Sequence, residues 1–177
     1  MSGFTTLSAD GLLIKMDRRE AAIYGERVVE LLSQARTTLS EKYGLKLETP
    51  AIVELFPSQQ DFAVRTFGMP GVEGFLGVCF GKVVTANSPR AAPAFNWQSM
   101  LWHEFCHVVT LNLTANKMPR WLSEGISVYE EGQRHPTWGQ QMTPEYRRMI
   151  LDGELTPIGR LSAAFLITGL AQLRTFG

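Results

Sequence analysis

The strongest constraint on this chain is residues 102–107, WHEFCH, which contain the pattern HExxH. Residues four apart lie on one face of an α-helix, so His103 and His107 can direct two imidazoles toward one metal ion. Glu104 lies one residue further round the helix, close enough to reach a water held on that metal. Asn96 is a good N-cap for such a helix. The alternative is a chance pattern on a core helix, with both histidines satisfied by hydrogen bonds.

A second stretch supplies a ligand that the two histidines lack, because a catalytic zinc ion takes three protein ligands and keeps one position open. Residues 118–131, MPRWLSEGISVYEE, have the apolar spacing of a helix, and Pro119 suits its first turn. Glu124 lies among the apolar residues, where a carboxylate needs a partner or a metal. Gly125 beside it would let another backbone come close. Glu124 is therefore the predicted third ligand, and an ordinary surface glutamate is the alternative.

These two stretches together resemble a known family. HEFCHVVT followed by RWLSEGISVYEE is similar to the gluzincin metallopeptidases, and more narrowly to the bacterial peptidase MA-like family, whose second helix reads much like WLSEG-x-[AS]-x-Y. The resemblance implies a zincin-like fold and a zinc-dependent peptidase. His103, His107 and Glu124 would bind Zn²⁺, and Glu104 would be the general base for a metal-activated water that hydrolyses peptide bonds.

One position departs from the family pattern. Thermolysin-type relatives carry an aspartate one turn after the third ligand, where it orients a histidine. Val128 occupies that position here. Another group must therefore orient the ligand histidines, and Ser127 and backbone carbonyls are the candidates.

The periodicity of the remaining chain predicts an α+β fold with a small mixed β-sheet and a long N-terminal helix. The turn dipeptide Asp10-Gly11 predicts a hairpin, and Gly44 predicts the end of the long helix. Ser58 can cap a short helix, with Asp61 at the capping-box position. The predicted strands are Phe4–Leu7, Leu12–Met16, Pro50–Phe56 and two pieces within Phe75–Ala86, which bend at Gly81-Lys82. The predicted helices outside the site are Asp17–Tyr43, Gln59–Phe67 and Leu161–Leu173. A further helix between the site and Leu161 is predicted to be capped by Thr143 and ended by Asp152-Gly153.

The segment Phe75–Ala86 also has a functional interpretation. In gluzincins a strand just before the active helix forms the sheet edge that lines the cleft, so the resemblance implies that this segment pairs with a peptide or protein substrate by adding a strand. Gly77 and Gly81 would let a substrate backbone approach. An interior hairpin is the alternative.

The donor that would stabilise an oxyanion opposite the metal is left open. His135 is the last of the three histidines and could take this catalytic role, as could Tyr129 or Tyr146. The alternative for His135 is a solvated loop histidine. Cys106 is a poor candidate for a fourth metal ligand, because it is adjacent to His107 and faces away from the histidine stripe.

Composition narrows the class of protein. The 177 residues, 45% of them hydrophobic, suit one domain, predicted as 1–177 with a core at about 50–135 and a C-terminal helical part at 143–177. Seventeen basic residues balance 17 acidic ones, so no electrostatic feature favours nucleic acid or an anionic membrane. Two cysteines are too few for a disulfide framework.

No signal peptide or transmembrane span is predicted, and a soluble cytoplasmic protein is the default expectation unless further segments precede this chain.

Two other functional classes stay open. The first is a catalytically weak zinc-binding module of zincin fold that recognises a peptide or a partner. The second is a structural protein whose histidines bind no metal. The intact Glu104 argues against both, because a structural metal site has no use for a general base.

Overall fold

The computed structural model describes residues 3–91, 95–139, 141 and 143–163. It is a mixed α+β structure built on one small sheet. The strands are β1 (Phe4–Ala9), β2 (Leu12–Asp17), β3 (Ala51–Phe56), β4 (Gly77–Phe80) and β5 (Val83–Asn87), and the helices are α1 (Arg18–Tyr43), α2 (Gln59–Phe67), α3 (Trp97–Leu113), α4 (Arg120–Arg134) and α5 (Pro144–Leu151). These elements confirm the predicted element types, with ends that differ by a few residues.

The sheet has the strand order β1-β2-β3-β5-β4. The outer pairs, β1 with β2 and β4 with β5, are antiparallel hairpins, whereas β2, β3 and β5 run parallel to one another. The predicted turn at Asp10-Gly11 and the predicted bend at Gly81-Lys82 are both confirmed. In the sheet formed by the described residues β4 is an edge strand, as predicted, and not part of an interior hairpin.

One face of the sheet carries the hydrophobic core. Alternate residues of β2, β3 and β5 point to this face because strand side chains alternate, and α1 and α3 cover them. The fully buried residues of this face are Leu12, Ile14, Met16, Ala51, Val53, Leu55, Val84 and Ala86. The predicted packing of the long N-terminal helix and the HExxH helix on the sheet is therefore confirmed.

The other face of the sheet is more polar and is covered by α2. Glu54 of β3 is 2% exposed and is held between Lys15, at 3.2 Å, and Arg65 of α2, at 2.8 Å. Burial raises the pKa of Glu54, but hydrogen bonds from Arg65 and Lys15 outweigh it and leave the pKa below its usual value. The buried carboxylate is thus paired, as a buried charge must be.

Two details of the predicted helix ends are corrected. Pro119 is the N-cap residue of α4 rather than a residue of its first turn, so the helix begins at Arg120. Asp61 accepts a hydrogen bond from the Ser58 hydroxyl at 2.7 Å, whereas a capping box would use the Ser58 backbone N–H. The predicted helix at Leu161–Leu173 lies largely outside the described residues, although residues 158–163 are helical. Among the described helices, none is long and apolar enough to cross a membrane.

The start of α1 offers a test of local stability. Asp17 is the N-cap, and its carboxylate accepts hydrogen bonds from the backbone N–H groups of Arg19, at 2.8 Å, and Glu20, at 3.3 Å. Asp17→Ala should lower the free energy of unfolding by about 1 kcal/mol, and Asp17→Asn should keep most of the cap. The measurement is urea denaturation. Glu26→Ala is the control, since Glu26 is exposed on α1 and makes no hydrogen bond among the described residues, and an equal loss in both variants would contradict the capping role.

Candidate metal centre

The packing of α4 against α3 brings the three predicted ligands together. The Nε2 atoms of His103 and His107, one helical turn apart on α3, lie 3.1 Å from each other. Oε2 of Glu124, from α4, lies 3.2 Å from the first and 3.4 Å from the second. The other Glu124 oxygen, Oε1, lies 3.5 Å from Nε of Arg120, so only one carboxylate oxygen faces the histidines. These three side chains form the group that could hold a metal ion among the described residues.

The dimensions of this triangle fit a small tetrahedral cation. Ligand atoms at about 2.0–2.1 Å from Zn²⁺ lie about 3.3–3.4 Å apart at the corners of a tetrahedron, close to the three observed separations. The side chains are partly enclosed, with exposures of 20% for His103, 11% for His107 and 28% for Glu124. The centre is therefore open to solvent on one side, which a fourth ligand would require.

Both imidazoles are held from behind through Nδ1. Nδ1 of His103 lies 2.6 Å from Oε1 of Glu131 on α4, and the other Glu131 oxygen accepts a hydrogen bond from the Ser99 hydroxyl. Nδ1 of His107 lies 2.8 Å from the Ser123 hydroxyl. With Nδ1 used for these contacts, the two Nε2 atoms and a carboxylate oxygen direct electron pairs at one point. Such an arrangement needs a cation at its centre, either a metal or a proton.

The pKa shifts of His103 and Glu124 in the metal-free centre also favour a positive charge there. Burial lowers the pKa of His103, but hydrogen bonds to Glu124 and Glu131 outweigh it and raise the pKa to about 10. Burial raises the pKa of Glu124, but hydrogen bonding and charge interactions with the two histidines hold it well below its usual value. His103 of the metal-free centre therefore holds a proton that a metal would have to displace.

Glu104 lies beside this centre, on the side of the sheet edge. Its side chain is buried, at 8% exposure, and lies against Gly77 of β4. No described side chain or backbone group donates a hydrogen bond to its carboxylate. Burial is the main cause of its raised pKa, and the nearby Glu124 and Glu131 raise it further against the opposing effect of the histidines. A buried carboxylate with free acceptor positions is suited to receive a proton from a small polar molecule.

The structure does not bring His135 to this centre. His135 is the C-cap residue of α4, about 16 Å along the helix axis from Glu124 at 1.5 Å per residue. Its exposed ring stacks on Trp138, and Nδ1 lies 2.9 Å from the Thr137 hydroxyl. This placement favours the solvated-loop interpretation, and its catalytic role stays a prediction without a supporting contact.

Four other residues were candidates for roles at this site from the sequence: Tyr129, Tyr146, Cys106 and Gly125. Tyr129, which is 56% exposed, has the Lys42 ammonium over its ring. Tyr146 is exposed on α5. Cys106 is fully buried and does not belong to the group of possible ligands. The expectation for Gly125 is not confirmed, because a Cβ there would meet nothing within 4 Å among the described residues outside the backbone of α4.

Sequence reasoning missed the groups that hold the histidines. Glu131 follows Glu124 by two helical turns and so lies on the same face of α4, a spacing that could have identified it. Ser127, a candidate from sequence, does approach Nδ1 of His107, but at 3.4 Å it is the more distant of two hydroxyls. Ser123 makes the closer contact. A serine beside a ligand glutamate carries no sequence signal that distinguishes it from a helix-surface residue.

Comparison of the chain with known protein families, with curated proteins and with solved structures finds no match. The site must therefore be interpreted from its own geometry.

The competition between a proton and a metal gives a pH-dependent prediction. Below a pKa of about 10, His103 of the metal-free protein is protonated, and only the neutral ring can bind a metal. Zinc binding at pH 7 should therefore release about one proton per chain, and affinity should rise about tenfold per pH unit between pH 6 and 9. Titration calorimetry in two buffers of different ionisation enthalpy measures the proton count, with His135→Gln as the control. An affinity independent of pH would show that no protonated ligand is displaced.

Proposed function

We propose that this chain is a zinc-dependent peptidase with a zincin-like fold. The observation that carries the proposal is the triangle of His103, His107 and Glu124 with an unpaired, buried Glu104 carboxylate beside it. The same residues carry the resemblance to gluzincins in the sequence. A metal-free structural cluster would have no reason to keep a fourth, unpaired carboxyl group at its border.

The donor set supports zinc as the metal. Two imidazoles and one carboxylate are a ligand combination of catalytic zinc sites, and neutral imidazole binds Zn²⁺ more readily than it binds Mg²⁺ or Ca²⁺. When bound, zinc would act as a Lewis acid toward a carbonyl and would lower the pKa of a water toward about 7. Glu131 and Ser123 orient the rings for this purpose by holding Nδ1 of His103 and of His107.

Glu104 is the proton carrier of the proposed reaction. Its carboxylate accepts a proton from the attacking water and later gives that proton to the nitrogen of the departing amine. The raised pKa helps both transfers, because a carboxyl group of ordinary acidity holds a proton too weakly near neutral pH. Glu104 lies next to His103 in sequence but points toward β4, so it need not compete for the metal.

The proposed substrate is an extended peptide that pairs with the free edge of β4. Among the described residues no strand pairs with the outer side of β4, whose backbone groups could therefore add another strand. Gly77 of β4 contacts Glu104 directly, so a peptide bound along this strand would pass beside the proposed base.

The sharpest test compares two glutamates. Glu104→Gln keeps the size of the side chain but cannot take a proton, so zinc binding should persist while peptide hydrolysis falls by about two to four orders of magnitude. Glu124→Gln should weaken zinc binding and hydrolysis together, because it changes a ligand. The measurements are zinc titration and turnover of a mixed peptide library.

His135→Gln is the control in this experiment, because it removes a histidine outside the ligand group. Wild-type turnover by Glu104→Gln would refute the assigned mechanism. Zinc binding without any hydrolysis by the wild type would favour the peptide-binding module instead.

The contact between β4 and α3 gives a second prediction. A Cβ at Gly77 would lie 2.7 Å from Cγ of Glu104 and 2.9 Å from its Oε1, so Gly77→Ala must displace the Glu104 side chain. A displacement of about 1 Å should lower hydrolysis by about 10²-fold and leave zinc affinity nearly unchanged. Gly125→Ala is the matched control, since it lies next to a ligand but has open space around it. Equal activity of Gly77→Ala and the wild type would show that the position of Glu104 does not limit the reaction.

A further inference from the structure

A chain of buried hydroxyl groups stands behind His107. The Ser123 hydroxyl of α4 lies 2.8 Å from Nδ1 of His107 and 3.0 Å from the hydroxyl of Thr110 on α3. The Thr110 hydroxyl lies 3.4 Å from the backbone carbonyl oxygen of His107. Thr110 and Ser123 are 1% and 4% exposed, so solvent does not supply alternative partners. Two buried hydroxyls in a row at a helix–helix contact need a consistent direction of donation.

Only one direction of donation uses all three contacts, because a carbonyl oxygen can only accept. In that direction Thr110 donates its one hydroxyl proton to His107 O. The Thr110 oxygen then accepts the hydroxyl proton of Ser123. The Ser123 oxygen is left as an acceptor toward His107, so Nδ1 of His107 carries the proton. In a neutral imidazole a proton on Nδ1 leaves an electron pair on Nε2.

We propose that Thr110 and Ser123 are positioning residues that fix the Nδ1–H tautomer of His107 and thereby direct its Nε2 electron pair at the metal. The inference rests on the metal site of the proposed function. It assigns to a neutral hydroxyl chain the task that Glu131 performs for His103 with a carboxylate.

The two histidines therefore differ in how strongly their partners hold the ring proton on Nδ1. A carboxylate is acceptor-only, so the Glu131 contact alone orients His103. A hydroxyl can donate or accept, so the Ser123 contact orients His107 only while Thr110 takes the serine proton. Loss of the Thr110 hydroxyl would free Ser123 to donate to Nδ1, and the ring proton would then move to Nε2, inside the metal site.

The test uses Thr110→Val, which keeps the shape of the side chain, and Thr110→Ser, which restores the hydroxyl. In metal-free protein, ¹⁵N NMR of the imidazoles reads the tautomer directly, and only three histidines need assignment. The wild type and Thr110→Ser should show His107 protonated on Nδ1. Thr110→Val should show a substantial share of Nε2–H, and its zinc affinity should fall by about 10- to 100-fold.

Ser123→Ala and Ser127→Ala form a matched pair on α4. Both hydroxyls approach Nδ1 of His107, at 2.8 Å and 3.4 Å, but only Ser123 contacts Thr110. Ser123→Ala should lose zinc affinity like Thr110→Val, whereas Ser127→Ala should stay within about threefold of the wild type. Should a serine variant not fold, the comparison of Thr110→Val with Thr110→Ser still decides the question.

The outcomes separate the two proposals. If the wild type binds zinc and Thr110→Val changes neither the tautomer nor the affinity, the positioning role is overturned and the zinc site stands. If metal-free wild type carries its His107 proton on Nε2, the direction of the hydroxyl chain is wrong. If the wild type binds no zinc, the proposed function fails, and the NMR comparison still decides whether the hydroxyls set the tautomer.

Discussion

The convergence of three electron-pair donors between α3 and α4 is the constraint on which the rest of the site depends. The inner face of α4 meets its neighbours through polar groups: Ser123 and Glu131 contact the two histidines, and Glu130, 2% exposed, accepts hydrogen bonds from Lys42 and Tyr43 of α1. Such contacts specify one register of α4, because a shift by one residue would leave buried polar groups without partners. A cation held by α3 and α4 would stabilise their contact further, since a ligand that binds only the folded state adds to its stability.

The sheet supplies the other half of the site. β5 is anchored by parallel pairing with β3, and it holds β4 in place by antiparallel pairing. The core side chains of β5 and α3 belong to the same hydrophobic core, so β5, and with it the edge strand β4, is held firmly against the helix. Gly77 is the residue of β4 that contacts Glu104, because its missing side chain leaves the space that the Glu104 carboxyl group occupies. The edge strand and the proposed base therefore have a fixed relation that does not depend on loops.

Local patterns predicted much of this arrangement from sequence, and tertiary contacts explain what they left out. The spacing of His103 and His107, the apolar context of Glu124 and the turn residues Asp10-Gly11 and Gly44 are readable because each acts within one element. The roles of Ser123 and Thr110 depend on how two helices face each other, which no period within either helix specifies. The position of His135 at the end of α4 and the open space around Gly125 could not be predicted for the related reason that residue type suggests a role, whereas only the packing shows which neighbours are within reach.

The charges around the centre explain why Glu104 suits its proposed role of base. A divalent cation bound there would meet two carboxylates, Glu124 as a ligand and Glu131 behind His103, and these two negative charges would balance it. Little net positive charge would then remain to hold Glu104 in its ionised form, while burial already favours the neutral carboxyl group. The hydroxyl chain behind His107 fits this balance, because a third carboxylate at that position would leave the centre with excess negative charge. The contrast between an anionic partner for one histidine and a neutral partner for the other would thus set both the affinity for a metal and the basicity of Glu104.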